Sequence, residues 1–229
     1  MPLPNGIRTV ADRLRAAHLT KQEDRLRRRV LRNFASGATP KLATLAEQSR
    51  IPPVQIQQIL RRLASRDLLV LDTRGNTVLA AYPFSATPTP HRVHLSGREV
   101  FALCAVDALG ITAMLNEDAR ISSRCAHCGS AVEVQAQPES VTRYLPLETV
   151  VWFPTSEEDD SCPVAESRCP NISFFCSNDH LDAWRMGREE PSGVALSLNE
   201  AFEAGREIFG SLLAEPSTQY TRRTSWPSR

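Results

Sequence analysis

The segment Pro83-Phe-Ser-Ala-Thr-Pro-Thr-Pro90 carries three prolines in eight residues. Proline has no backbone N–H and a fixed φ, so neither a helix nor a central strand is expected to run through it. It reads as a stiff linker dividing the 229-residue chain. Residues 1–85 form one expected unit and residues 91–214 another. A tail at 215–229, rich in Ser, Thr and Arg, is expected to be disordered.

Before the prolines the apolar spacing is mostly helical. Residues 20–34 make a basic amphipathic helix, with Leu26, Val30 and Leu31 on its apolar stripe and Arg27, Arg28, Arg29 and Arg32 around it. Gly37-Ala-Thr-Pro40 ends it. Further helices are expected at 41–49 and 54–66, the latter with Val54, Ile59, Leu60 and Leu63 inward. Strands at 68–71 and 77–82 flank the tight turn 73–76. Three helices and a hairpin in this order make a winged helix-turn-helix pattern. Residues 1–67 carry 14 Lys and Arg against 5 Asp and Glu, so DNA is a candidate partner through residues 20–82. Gln55, Gln57, Gln58, Arg61 and Arg62 are the side chains that could read base edges. A solvated basic face on a scaffold explains the same charges.

The second unit alternates strand and helix patterns, which makes the whole chain α+β. Strands are expected at 91–95, 120–123, 131–135, 150–153 and 172–175, and helices at 178–186 and 198–213. Ser96, with Glu99 three residues on, reads as a capping box opening the helix that carries Cys104 and Asp107. No apolar run reaches the roughly 20 residues of a membrane span, and no secretory segment is evident at the start. A cytosolic protein without membrane contact is expected, with reduced thiols.

Six cysteines then read as ligands or nucleophiles rather than as a disulfide framework. Cys104 and Asp107, three apart, share a helix face. Cys169 follows 65 residues after Cys104, ahead of an apolar stretch. Two thiols and a carboxyl group can grip a soft ion and move a proton. Phe101, Leu103, Trp152, Phe174 and Phe175 are candidate walls for an apolar group. A buried cysteine on an apolar helix is the plain alternative.

The stretches Phe101-Ala-Leu-Cys-Ala-Val-Asp-Ala-Leu109, Arg120-Ile-Ser-Ser-Arg-Cys125 and Cys169 before Phe174-Phe175 resemble the organomercurial (alkylmercury) lyase family. Asp182-Ala-Trp184 and Ala201-Phe202 continue the similarity. The resemblance implies that Cys104 and Cys169 take the mercury and that Asp107 relays a proton to the leaving carbon. It implies no organic cofactor, and free thiols or a mercuric reductase as the acceptor of the mercuric ion. It also implies an N-terminal domain of winged-helix type and a structural role for Cys125.

Cys125-Ala-His-Cys-Gly129 and Cys176-Ser-Asn-Asp-His180 depart from the family pattern. Cys-x2-Cys-Gly is a zinc-knuckle form, and Cys176 with His180 completes four tetrahedral ligands. A treble-clef-like structural zinc on Cys125, Cys128, Cys176 and His180 is expected. Free thiols at Cys125 and Cys128 are the alternative. Cys162, in the acidic stretch 156–163, is read as a free thiol that could trap mercury or take the place of Cys169. Two further readings stay open: a DNA-binding regulator with a cysteine-rich metal or redox sensor, and a lyase-like protein with another substrate.

Overall fold

The computed structural model describes residues 10–155, 164–186 and 192–213. The helical region comprises α1 (Val10–Ala16), α2 (Lys21–Ala35), α3 (Leu42–Ser49) and α4 (Pro53–Ala64). Thr20 caps α2: its hydroxyl accepts from the Glu23 N–H at 3.2 Å, and the Glu23 carboxylate accepts from the Thr20 N–H at 2.9 Å. Leu26, Val30, Leu31 and Phe34 bury the inner face of α2, as the helical spacing requires. On α4 the inward residues include Ile56, Ile59, Leu60 and Leu63. Val54, expected inward, is 69% exposed. It sits in the first turn beside Pro53, on the face opposite the buried Ile56, Ile59, Leu60 and Leu63 side.

The hairpin β1 (Val70–Leu71) and β2 (Val78–Ala81) follows, turning at Gly75, whose φ of +70° suits glycine. The expected linker then departs from its reading. Phe84–Ser85 is a strand, β3, paired to β2 on one side and to β5 (Arg98–Ala102) on the other. Phe84 is fully buried and stacks on Phe34 with ring centroids 5.8 Å apart. One aromatic anchor therefore outweighs the prolines flanking it, and the sheet runs on without interruption. With β4 (Arg92–Leu95), β6 (Ala119–Arg124), β7 (Ala131–Gln137) and β8 (Ser140–Leu145), it becomes an antiparallel eight-stranded sheet of order β1-β2-β3-β5-β4-β6-β7-β8.

The capping box expected at Ser96 and Glu99 does not form. Ser96-Gly97 is the two-residue turn of the β4–β5 hairpin, with Gly97 at φ +71° and Leu95 opposite Arg98. Glu99 faces His94 across the strands, 3.2 Å from its ring nitrogen. The Ser-x-x-Glu spacing is shared by a helix start and by this hairpin, and the glycine between decides for the hairpin.

A second sheet has order β10-β9-β11, from β9 (Val150–Pro154), β10 (Phe174–Phe175) and β11 (Gly193–Ser197). Between β9 and β10 lie the short helix α6 (Val164–Ser167) and a 3₁₀ turn at Cys169–Asn171. After β10 comes α7 (Asn178–Arg185), and after β11 comes α8 (Leu198–Phe209). The helix α5 (Ala105–Leu115) is apolar around nearly its whole circumference and is buried as such helices must be. It packs on β4 to β7 and crosses α8, which in turn covers β8, β9 and β11. The crossing is close because Gly110 and Gly205 face one another: a Cβ on Gly110 would lie 2.8 Å from the Gly205 carbonyl oxygen. This contact fixes where the start of α5 stands. Among the described residues no helix is long and apolar enough to cross a membrane.

Candidate active site and second cysteine cluster

Cys104 is not inside a helix but caps one. Its backbone is extended, and its sulfur accepts the Asp107 N–H at 3.3 Å. The three-residue spacing thus works through an N-cap rather than through a shared helix face. Cys169 opens the 3₁₀ turn and points its thiol at Asp107 Oδ2, 3.8 Å away. The Cys104 and Cys169 sulfurs and an Asp107 oxygen all lie within 4.8 Å of one another, and all three residues are buried. The backbone holds this meeting in place. The Ala105 N–H donates to the Ile172 carbonyl at 3.0 Å, and the Ile172 N–H returns to the Cys169 carbonyl at 3.1 Å.

Burial controls the protonation of the trio. It pushes the Asp107 carboxyl up to about 7, against hydrogen bonds from both cysteines that favour the charged form. Burial likewise raises the Cys104 thiol well above the usual range, reinforced by Cys169 and the charge of Asp107. The hydrogen bond with Cys104 pulls Cys169 down, but burial and the carboxylates of Asp107 and Asp67 outweigh it, so that thiol is raised as well. At rest the site holds two neutral thiols beside a carboxyl poised near neutrality.

Three residues that spacing does not reveal brace the approach to Cys169. Tyr82 donates to Asp67 Oδ1 at 2.7 Å and accepts the Ala165 N–H at 2.9 Å. Arg13 pairs with Asp67 at 3.2 Å, and the Val164 N–H reaches Asp67 Oδ2 at 3.4 Å. Burial pushes the Tyr82 hydroxyl far up, so it stays protonated. The helical region is in this way tied to α6, just ahead of Cys169. No local pattern joins positions 13, 67, 82 and 164, and only the fold brings them together.

Of the expected apolar walls, Trp152, Phe174 and Phe175 are fully buried core residues. Phe101 is partly covered by the Arg92 guanidinium, 5.6 Å from its ring centre. Cys162 and the acidic stretch around it lie outside the described residues, as does the expected tail.

The second cluster gathers as the spacing suggests. Cys125, Cys128, Cys176 and His180 place one ligand atom each within 4.8 Å of one another. Cys125 opens the turn after β6, and Gly129, at φ +74°, lets its N–H fold back to the Cys125 carbonyl at 2.9 Å. Cys176 follows β10, and His180 sits in the first turn of α7, whose cap is Ser177. Such a Cys/His set is able to coordinate a structural zinc ion.

Known proteins are similar to most of this chain. The family model described as alkylmercury lyase matches residues 84–210. The chain is 30% identical over 181 residues to an alkylmercury lyase of Staphylococcus epidermidis, covering 79% of this chain and 80% of that one. It is 27% identical to an alkylmercury lyase of Bacillus cereus, covering 78% of each. The crystal structure of the mercury-bound form of MerB2 is similar at a TM-score of 0.75 and 26% identity, over 90% of this chain and 99% of that one.

Proposed function

The chain belongs to the alkylmercury lyase family, and we propose that Cys104, Asp107 and Cys169 perform its protonolytic cleavage of carbon–mercury bonds. The observation that carries the assignment is the dry meeting of two thiols and one carboxyl group within 4.8 Å. Thiolate sulfur is the preferred partner of a soft metal. Asp107, at about 7, can both take and return a proton near neutral pH.

An organomercury cation meets the neutral thiols. One thiol passes its proton to the Asp107 carboxylate as its sulfur bonds to mercury. The second sulfur then binds, which enriches the carbon in electrons. Asp107 delivers a proton to that carbon, and the electron pair of the carbon–mercury bond goes with the carbon. A hydrocarbon leaves, one further proton is released, and mercury(II) stays on two thiolates. It departs by exchange onto free thiols or a mercuric reductase. No organic cofactor enters any step. Exclusion of water keeps the proton for the carbon.

We read the helical region as a winged-helix scaffold rather than as a DNA reader, because many of its polar groups are engaged internally. Arg27 and Arg28 pair with Asp24 at 2.8 and 2.7 Å, Arg62 pairs with Glu23 at 2.8 Å, and Gln57 bonds the Arg74 carbonyl at 3.3 Å. Arg27 also reaches the Leu212 carbonyl at 2.9 Å, binding the region to the end of the chain's core. The second cluster, a knuckle followed by a strand-to-helix pair of ligands, resembles a treble clef.

Incubation with phenylmercury and excess free thiol should release benzene. Retained turnover in both Cys104→Ala and Cys169→Ala would sink the assignment.

A further inference from the structure

Hydrophobic packing accounts for only part of the meeting of Cys125, Cys128, Cys176 and His180: Cys125 belongs to the core and Cys176 packs against it. Cys125 is buried, but Cys128 is exposed and Cys176 and His180 are only partly covered. Their separations have a chemical meaning. Zn–S bonds of about 2.3 Å at tetrahedral angles place two sulfurs about 3.8 Å apart. Cys128 and Cys176 stand 3.7 Å apart, and Cys125 Sγ lies 3.7 Å from His180 Nδ1. A disulfide would need about 2.05 Å between sulfurs.

The position of the cluster is as informative as its geometry. Cys125 and Cys128 belong to the turn between β6 and β7, in the large sheet. Cys176 and His180 follow β10, in the small one. Across this seam the Ala126 N–H donates to the Phe174 carbonyl at 3.0 Å. Cys169 lies on the same segment, seven residues before Cys176. Its partners Cys104 and Asp107 lie on the other side, at the start of α5 after β5. The reactive trio and the Cys3His quartet therefore bridge one seam at two points.

We propose that Cys125, Cys128, Cys176 and His180 hold a structural zinc ion that staples the two sheets and so sets the approach of Cys169 to Cys104 and Asp107. The three cysteines bind as thiolates, releasing whatever protons their thiols carry, while His180 binds as neutral imidazole. Zinc takes no part in the chemistry, and the positioning half of the proposal rests on the lyase reading given above.

The full chain, produced without mercury, should contain one zinc per molecule. Cobalt substituted for it should show the visible absorption of a tetrahedral thiolate site. The Cys104→Ala/Cys169→Ala double variant should keep both the zinc and that spectrum. Cys128→Ser, at an exposed position where folding is least at risk, should lose zinc, and Cys128→His should recover it. Stripping zinc with a chelator should lower Tm by about 10 °C and reduce kcat at least tenfold with a smaller change in KM. Adding zinc back should restore both. A chain that takes up neither zinc nor cobalt overturns the site, as does zinc lost from the double variant or unaltered in Cys128→Ser. Undiminished kcat in the stripped protein overturns the staple. Metal content and spectrum need no turnover, so failure of the lyase reading would be told apart from failure of the zinc site.

Discussion

The two cysteine clusters lie on the same seam and differ chiefly in their access to water. Cys104, Asp107 and Cys169 are all buried, whereas Cys125 alone of the quartet is. Burial suits the proposed reaction, in which the two thiols stay protonated until a substrate arrives and the Asp107 carboxylate takes up a thiol proton and passes it to carbon rather than to water. Partial exposure suits a quartet that binds its ion once and then holds still. One kind of side chain thus serves reaction in a dry setting and cross-linking in a wetter one.

Removing members of the dry trio should have the largest effect. Cys104→Ala and Cys169→Ala should reduce benzene release from phenylmercury to background. Asp107→Asn should lower kcat by about 10²–10⁴-fold, with the fold preserved by circular dichroism. Asp107→Asn should also stabilise the protein. The folded carboxyl titrates near 7 against an ordinary 3.8, so the folded state binds the extra proton between those values. Wild-type stability is therefore lost as pH rises from about 4 to about 7. The gap in unfolding free energy between variant and wild type should widen over that window, up to roughly 4 kcal/mol. A gap that does not change with pH would show that burial does not govern Asp107.

Gly110→Ala tests the support beneath the trio. Its new methyl would meet Phe209 and the Gly205 carbonyl, and overpacking of this kind costs about 1–3 kcal/mol. Denaturant unfolding measures it, and an unaffected midpoint would mean that α5 and α8 do not need their close crossing. If the free enzyme needs the Asp107 carboxylate to accept a thiol proton, kcat/KM should fall tenfold per unit below about pH 7. A flat profile from pH 5 to 7 would assign the first proton elsewhere. The smallest effect belongs to the wetter cluster. Ser130→Ala removes a 3.2 Å contact with Cys128 at an exposed position and should shift stability by less than about 0.5 kcal/mol.

Much of the site was legible because its signals are local. The Cys104 to Asp107 interval fits within one helical turn, and Cys-x2-Cys-Gly puts two thiols on one tight turn. Helices α2, α4 and α7 could be read from apolar spacing for the same reason. Other features escaped because unlike structures share a spacing. Ser96 and Glu99 match a helix cap and a hairpin equally well, and only pairing with β4 chose between them. The prolines at 83, 88 and 90 spoke for a linker, while the one decisive residue, Phe84, had its reason in Phe34, fifty positions earlier.

Residue type and spacing marked the candidate ligands, and the family resemblance sorted Cys104, Asp107 and Cys169 from the Cys125, Cys128, Cys176 and His180 set. Ligand chemistry is short-ranged, and half of each set is written within a few residues. Tertiary structure decided how the halves meet, how dry each site is, and that Tyr82, Asp67 and Arg13 brace the segment ahead of Cys169. Those properties depend on what else is packed nearby. Burial moves Asp107 from an ordinary carboxyl group to one poised near neutrality, and burial belongs to the folded chain as a whole rather than to any stretch of its sequence.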